Sequence, residues 1–225
     1  MRAIPWNTGW TYSHLGDEKN KKAVTLPHDA MLGEKKSATA AGGTNTGWYE
    51  GFDYIYEKEI PADSEFSGQT VILEFEGVYH NAEVWVDDEK LMFRPYGYTN
   101  FYVDVTKYFS DKKTHTLKVI ARNADQPNSR WYSGAGIYRP VTLWVGGQQY
   151  ISINGIRITT TAIEPAEIKV DINSNCPGEA KVEILDGNQV AAVKEHVVCD
   201  KKASLTLAIE NAKLWNVDTP HMYTC

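Results

Sequence analysis

The segment from Asn123 to Trp144, NADQPNSRWYSGAGIYRPVTLW, carries the features from which the fold and function of this 225-residue chain are predicted. It begins as a polar loop with turn-forming residues and one proline. It then passes through three large side chains that can contact a ligand, Arg130, Trp131 and Tyr132. Because loops anchored on rigid strands commonly present binding sites, these three are the candidate substrate-binding residues.

The second half of the same segment predicts how that loop is held. At Gly134 and Gly136 we expect a backbone with positive φ or a close approach to another surface. The run of β-branched and aromatic residues at 141–145 predicts a buried strand. The loop is therefore expected to be fixed by glycines and a strand on its carboxyl-terminal side.

Outside this segment, short stretches alternate between apolar and polar residues with the period of two that is typical of half-buried strands. They recur at intervals of about ten residues, which predicts an all-β sandwich or barrel. Acidic residues at 87–89 are expected to form a hairpin turn. The clearest alternating positions are Val71-Leu73-Phe75, Ala82-Val84-Val86, Val103-Val105 and Leu117-Val119-Ala121.

A change in composition predicts a domain boundary near Gly146–Gln149, because aromatic residues are dense before it and sparse after it. Residues 1–147 are expected to form the first domain and 148–225 the second. In the second part, alternation over 168–172 and 205–209 and a predicted turn at 186–188 suit an immunoglobulin-like β-sandwich.

Composition excludes several classes of partner. The net charge of −6 and pI near 5.5 argue against nucleic acid and anionic membranes, which bind basic surfaces. The mean hydropathy of −0.42 and the lack of a long apolar run argue against a membrane span. Cys176 and Cys199 could pair in an oxidising compartment, but unpaired thiols are the favoured reading. No signal peptide is visible, and the compartment is left open between cytoplasm, periplasm and exterior.

Motifs for metal, nucleotide and serine-hydrolase chemistry are also missing from the sequence, so no metal and no cofactor are predicted. The acidic cluster Asp87-Asp88-Glu89 is expected to be a solvated turn rather than a catalytic pair, and no catalytic residue is assigned. Asp29 is expected to cap a turn through its side chain rather than to reach a ligand. Trp48, Tyr49, Trp85 and Trp144 lie in strand patterns and are expected to be core residues.

The stretch Ser129–Arg139, SRWYSGAGIYR, resembles the G-I-[FHY]-R signature of glycoside hydrolase family 2, which includes β-galactosidases, β-glucuronidases and β-mannosidases. Six further segments resemble family motifs in the same order, and together they cover nearly the whole chain. They are Leu26-Pro27-His28-Asp29, Gly47-Trp48-Tyr49, the 75–86 hairpin, Gly97-Tyr98-Thr99-Asn100-Phe101, Asp104-Val105-Thr106 and Leu214-Trp215-Asn216 with Pro220 and Tyr223.

This resemblance implies a jelly-roll domain of the galactose-binding type, then an immunoglobulin-like domain, and then a TIM barrel that carries the two catalytic glutamates. The chain resembles the first two and is expected to stop before the last strand of the second. It implies a non-catalytic amino-terminal part of a β-galactosidase-like enzyme, with the barrel as its partner and a β-glycoside as substrate. A free-standing carbohydrate-binding module and a structural adhesion sandwich are the alternatives.

The same resemblance marks one departure, at Arg130. In the β-galactosidases and β-glucuronidases the residue six before the G-I-[FHY]-R glycine is an aspartate that reaches sugar hydroxyls, whereas this chain has an arginine there. Trp131 and Tyr132 are expected either to stack on a sugar ring or to pack against a neighbouring domain, with equal weight.

Overall fold

The computed structural model describes residues 1–225 and divides them into two compact units, Arg2–Gly146 and Gly147–Cys225. The first unit contains β1 (Arg2–Pro5), β2 (Trp10–His14), β3 (Lys22–Val24), β4 (Asp53–Ile60), β5 (Thr70–Phe75), β6 (Ala82–Val86), β7 (Glu89–Arg94), β8 (Phe101–Asp104), β9 (His115–Arg122) and β10 (Val141–Gly146). The second contains β11 (Ile151–Ile163), β12 (Ala166–Ser174), β13 (Gly178–Asp186), β14 (Gln189–Cys199) and β15 (Lys202–Ile209). Short 3₁₀ helices lie at Glu18–Asn20, Ala30–Gly33, Gly43–Thr46 and Thr106–Phe109.

The first unit is a jelly-roll sandwich of two antiparallel sheets, with strand orders β1-β10-β5-β8 and β3-β2-β4-β9-β6-β7. Its core comes from the alternating positions that the sequence predicted. On β5, Val71, Leu73 and Phe75 are wholly buried, and the ring of Phe75 stacks on that of Phe101 from β8. Burial of each such side chain stabilises the fold by about 1.5–3 kcal/mol, so the inner faces of the two sheets hold the unit together.

The prediction that Trp48, Tyr49, Trp85 and Trp144 are core residues was wrong for the three tryptophans, whereas Tyr49 is half-buried and packs against the core. Trp48 is 44% exposed, and Trp85 and Trp144 are half-buried. On β10 only every second residue is buried, so Trp144 lies on the outer face, where its Nε1 donates to Glu74 Oε2 at 2.7 Å. An aromatic residue in a strand is therefore buried only when its register places it on the inner face.

The second unit has the immunoglobulin-like pattern of two small antiparallel sheets, β11-β12-β15 and β13-β14. Its core is made of aliphatic side chains, among them Val170, Val182, Ile184 and Leu207. Residues 187–188 form the tight turn between β13 and β14, which confirms the turn predicted at this point. Cys176, Cys199 and Cys225 are free thiols.

Antiparallel pairing in the first unit gathers four connections at one end of the sandwich. The start of β4 pairs with the end of β9 through Asp53 and Arg122, and the start of β6 with the end of β7. The end of β5 pairs with the starts of β8 and β10 through Phe75. The connections 25–52, 76–81, 95–100 and 123–140 therefore emerge together, and we call this region the loop end.

Candidate functional site

The carboxylate of Asp29 ties two connections of the loop end together. Its Oδ1 accepts hydrogen bonds from the backbone N–H of Met31 at 3.1 Å and of Ala135 at 3.0 Å. Its Oδ2 accepts from the hydroxyl of Tyr132 at 2.7 Å. The predicted turn-capping role of Asp29 is confirmed, because Met31 lies in the short helix that Asp29 begins. The same carboxylate also fixes the 123–140 connection.

Two glycines let this connection approach its support, as the sequence predicted. Gly134 has φ +69°, and a Cβ added there would lie 2.7 Å from Asp29 Oδ2. Gly136 has φ +95°, and a Cβ there would lie 2.1 Å from the hydroxyl of Tyr56. Both positions therefore require glycine for its backbone conformation and for space.

His28 is half-buried and supports the site through hydrogen bonds to two other segments. Its Nδ1 lies 2.8 Å from the hydroxyl of Tyr56, and its backbone N–H donates to the carbonyl of Ile137 at 2.8 Å. Burial lowers the pKa of His28, so its imidazole is neutral near pH 7. The Leu-Pro-His-Asp segment is thus a structural partner of the 123–140 connection.

A network of amide side chains fixes the first half of that connection. Asn123 is wholly buried, and its Nδ2 donates to the carbonyl of Gly134 at 3.3 Å. Asn128 donates to Asn123 Oδ1 at 2.8 Å and lies 3.0 Å from His80 Nε2. The hydroxyl of Tyr79 donates to Asn128 Oδ1 at 3.2 Å. Burial lowers the pKa of His80, so a neutral ring is available to accept the hydrogen bond from Asn128.

The structure brings Trp131 together with two tyrosines that the sequence analysis did not assign to the site. Its Nε1 donates to the hydroxyl of Tyr98 at 2.9 Å, and the ring of Tyr98 lies 5.6 Å from that of Tyr96. Trp131 is 60% exposed and Tyr96 55% exposed. The signal that was missed is the Tyr96-Gly97-Tyr98 spacing, which puts two aromatic rings on a short connection.

Tyr132, unlike Trp131, is held by a hydrogen bond to the Asp29 carboxylate. Burial raises the pKa of its hydroxyl, and the hydrogen bond to the Asp29 carboxylate raises it further, so the hydroxyl stays protonated and bound to Asp29. Its ring lies 6.1 Å from that of Tyr49. The role of Tyr132 visible in the structure is therefore that of an anchor, with 40% of the residue still exposed.

Arg130 is exposed at the tip of the connection, and its guanidinium makes no ion pair within the chain. Its neighbour Ser129 donates from its hydroxyl to the carbonyl of Trp131 at 2.5 Å, which closes a tight local turn. Arg130 and the exposed face of Trp131 are therefore adjacent in sequence, and both are accessible to a ligand.

Trp48 is a further exposed aromatic residue on the loop end. It has φ +69° and follows Gly47 at φ +63°, a conformation that bulky residues rarely adopt. Its backbone N–H donates to the carbonyl of Gly43 at 2.8 Å, and its carbonyl accepts from Ser37 at 2.9 Å. These two bonds hold the left-handed turn and leave the indole at the surface instead of in the core.

The acidic cluster lies away from the loop end, at the β6–β7 turn. Asp87 Oδ2 is 2.7 Å from Nδ1 of His115, and Glu89 pairs with Lys107 at 2.6 Å and accepts from the hydroxyl of Tyr108 at 2.8 Å. The predicted turn between β6 and β7 is present, but Asp87 and Glu89 pair with basic side chains of other segments rather than being simply solvated. No group of three or more His, Cys, Asp or Glu side chains is arranged to hold a metal ion, and no helix has the length and hydropathy to cross a membrane.

Comparisons with known proteins agree over both units. Residues 28–142 match the family described as "Glycosyl hydrolase 2 galactose-binding domain-like", and residues 151–225 match "Glycosyl hydrolases family 2". The chain is 31% identical to Beta-galactosidase BoGH2A of Bacteroides ovatus over 97% of its own length and 28% of that protein. It is 30% identical to a putative beta-glucuronidase of Formosa agariphila over 92% of its length and 20% of that protein.

Solved structures of glycosidases also match the fold of this chain. A glycosyl hydrolase family 2 member from Bacteroides cellulosilyticus superposes with a TM-score of 0.83 at 25% identity, covering 99% of this chain and 32% of that one. A beta-glycosidase from Bacteroides vulgatus gives 0.80 at 26% identity, with 99% and 31% covered. The chain therefore spans less than a third of the length of these relatives.

Proposed function

The chain belongs to glycoside hydrolase family 2, and from this we propose that its first unit forms part of the wall of the sugar pocket in a larger β-glycosidase. In this proposal the chain itself is not catalytic. The two carboxylates of glycoside hydrolysis come from a TIM barrel outside these 225 residues, and the loop end faces that barrel. Arg130, Trp131 and Tyr132 are the residues of this chain closest to the substrate.

The observation that carries the proposal is an exposed, unpaired guanidinium on a connection that is otherwise fixed. Arg130 has no partner of its own, whereas Asp29 and Asn123 hold the same connection on either side of it. Because the backbone is already ordered, only the side-chain rotamers of Arg130 have to be fixed when it binds a ligand.

The chemistry of Arg130 suggests what it recognises. A guanidinium offers a planar set of N–H donors that can bind two vicinal sugar hydroxyls or hold a carboxylate through two parallel hydrogen bonds. The relatives are named as β-galactosidases and as β-glucuronidases, and a β-glucuronide carries a carboxylate that a β-galactoside lacks. A charged group where related enzymes have an aspartate therefore favours an acidic or otherwise substituted sugar.

Trp131 complements Arg130 with an apolar surface. One face of a pyranose ring presents C–H groups, and these pack on the face of an indole. Because the indole N–H of Trp131 donates a hydrogen bond to the hydroxyl of Tyr98, the plane of the indole is oriented before any ligand binds. The pair thus combines a charged donor for the polar edge of a sugar with a flat surface for its apolar face.

The test is to replace Arg130 by alanine in the full-length gene product that contains this chain. We expect kcat/KM on the preferred aryl β-glycoside to fall about ten- to a hundredfold, the loss of one charged hydrogen bond of about 1.5–3 kcal/mol. The loss should be larger on an aryl β-glucuronide than on an aryl β-galactoside. The melting temperature should not change, because Arg130 makes no ion pair within the chain.

Arg157→Ala is the matched control, since Arg157 is an exposed arginine on β11 of the second unit. It should leave kcat/KM unchanged. A variant Arg130→Ala that keeps full kcat/KM but loses thermal stability would identify Arg130 as an interdomain contact and refute the proposal.

A further inference from the structure

Three aromatic side chains on the loop end are connected in series by one ring contact and one hydrogen bond, and we call them the aromatic row: Tyr96, Tyr98 and Trp131. The rings of Tyr96 and Tyr98 are 5.6 Å apart with planes at 64°. Trp131 reaches the row from another connection, through the 2.9 Å hydrogen bond from its Nε1 to the hydroxyl of Tyr98. Because that hydroxyl lies at the tip of the Tyr98 ring, Trp131 extends the row beyond it.

The aromatic row is held rigidly from below. The ring of Tyr79 packs under Tyr98 at 5.3 Å, and its own hydroxyl is bound by Asn128. The hydroxyl of Tyr138 donates to the carbonyl of Gly97 at 2.8 Å, so the connection that carries Tyr96 and Tyr98 is fastened to the 123–140 connection. These contacts orient the rings without covering them.

The two ends of the row are open to solvent. Tyr96 is 55% exposed and Trp131 is 60% exposed, while Tyr98 between them is half-buried. Leaving two large apolar rings in water forgoes about 25 cal/mol for each Å² of apolar surface that could have been buried. Exposed rings that are joined through a third ring form a patch larger than a single exposed side chain, which is typical of an interaction surface.

The row has the chemistry of a surface for carbohydrate. Each ring combines a flat apolar face with a polar group at its edge, which matches sugar units that present C–H faces and hydroxyl edges in alternation. Trp131, at one end of the row, is also the sequence neighbour of Arg130, the group assigned above to the substrate. The two exposed rings flank a third, so one sugar unit cannot cover both.

We propose that the aromatic row binds two successive units of a β-linked oligosaccharide whose next unit lies against Arg130. The natural substrate class is then an oligosaccharide of at least three units rather than a short glycoside. The placement of the next sugar unit against Arg130 rests on the proposed function. The binding of the oligosaccharide itself requires only Tyr96, Tyr98 and Trp131.

The experiment uses the 225-residue chain, ¹⁵N-labelled, and follows the indole N–H signal of Trp131 by NMR. The probes are β-1,4-galactotetraose and cellotetraose, with galactose and cellobiose as short controls. We expect at least one tetrasaccharide to shift this signal saturably, and to bind at least tenfold more tightly than the short sugars. Tyr96→Ala should lower the affinity for that tetrasaccharide at least fivefold.

Phe93→Ala is the matched control, because Phe93 is 52% exposed and aromatic but lies on β7, outside the row. It should bind the tetrasaccharide as the unaltered chain does. Tyr98→Phe keeps the ring and removes only the hydroxyl that orients Trp131, so it should shift the indole signal of the free chain and weaken binding about two- to fivefold.

The inference is overturned if neither tetrasaccharide binds, or if Tyr96→Ala binds as tightly as Phe93→Ala. Its failure is distinguishable from failure of the proposed function. The proposed function is measured by the effect of Arg130→Ala on a short aryl glycoside, which does not reach Tyr96, whereas the row is measured by chain-length dependence in a protein whose Arg130 is intact.

Discussion

At the scale of single residues, the carboxylate of Asp29 accepts three hydrogen bonds that hold two connections of the candidate site together. Two backbone N–H groups and the hydroxyl of Tyr132 donate to it. One of these N–H groups is that of Ala135, more than a hundred residues further along the chain. A buried donor without an acceptor costs more than the hydrogen bond it loses. Asp29 therefore links local turn formation to the position of the loop that bears Arg130.

We expect Asp29→Ala to lower the free energy of unfolding of the chain by about 2–4 kcal/mol, because three donors lose a charged acceptor together. Tyr132→Phe removes only one of these bonds and should lower it by about 0.5–1.5 kcal/mol. Urea titration followed by tryptophan fluorescence measures both. Asp125→Ala, an exposed position on the same connection, should remain within about 0.5 kcal/mol of the unaltered chain. An Asp29→Ala chain as stable as Asp125→Ala would contradict the anchoring role.

The sequence was informative about some residues and not about others, for reasons that are physical. Gly134 and Gly136 could be predicted because a positive φ or a close contact leaves glycine as the one suitable residue. Tyr96 and Trp48 could not, because exposure depends on which way a connection turns, and local sequence does not determine that. That Arg130, Trp131 and Tyr132 bind substrate remains a prediction, although their loop could be recognised.

At the scale of elements, His115 joins the start of β9 to two acidic turns. Its Nδ1 lies 2.7 Å from Asp87 in the β6–β7 turn, and its Nε2 lies 2.9 Å from Asp111 in the connection before β9. Burial by itself lowers the pKa of His115, but the hydrogen bonds to the two carboxylates outweigh burial and raise it. The bonds to His115 in turn lower the pKa values of Asp87 and Asp111.

This arrangement predicts a specific dependence of stability on pH. The raised pKa of His115 contributes stability that is complete below its usual value of 6.5 and is lost as pH rises through the higher folded value. The lowered values of the two aspartates contribute stability that is complete above 3.8 and is lost as pH falls below it. The cluster therefore stabilises the fold most between 3.8 and 6.5.

We expect His115→Gln to destabilise the chain more at pH 5.5 than at pH 9, as measured by thermal unfolding at a series of pH values. Tyr108, whose ring meets that of His115 at 5.1 Å, stays neutral over this range because burial raises its pKa. A destabilisation that is equal at both pH values would mean that His115 acts through packing alone.

Some elements followed directly from the alternation of the sequence and others did not. Strands such as β5 and β9 were predicted because one face is buried and the other carries mainly polar side chains. Most positions of the long strands β11 and β14 lie at the surface or are half-buried, and in these strands the period of two is weak. Pairing with a neighbouring strand, rather than burial of their own side chains, specifies them.

At the scale of the whole molecule, the two units differ in the size of the side chains that fill their cores. The first contains Tyr54, Tyr56 and Phe75, all wholly buried, whereas the second relies on aliphatic residues such as Val170 and Ile184. Larger buried apolar area gives more stabilisation for each ordered residue. The first unit is therefore expected to be the more stable of the two.

We expect backbone amides of β5 and β10 to exchange with deuterium at least tenfold more slowly than those of β12 and β15, as measured by hydrogen exchange with mass spectrometry. Amides in hydrogen-bonded strands exchange through opening, so their rates report the stability of each unit. Equal protection in the two sets would show that the aliphatic core is as stabilising as the aromatic one.

The loop end is built from connections alone, while the core of the first unit is built mainly from its strands. The connections also hold buried residues such as Met31 and Ile137, so changes that leave the core in place are confined to their exposed positions, such as Tyr96 and Arg130. A lineage of such proteins can therefore diverge at these exposed positions while inheriting one scaffold. Within one connection, exposed positions such as Arg130 can then change while neighbouring positions such as Gly134 and Ile137 are kept by the demands of folding.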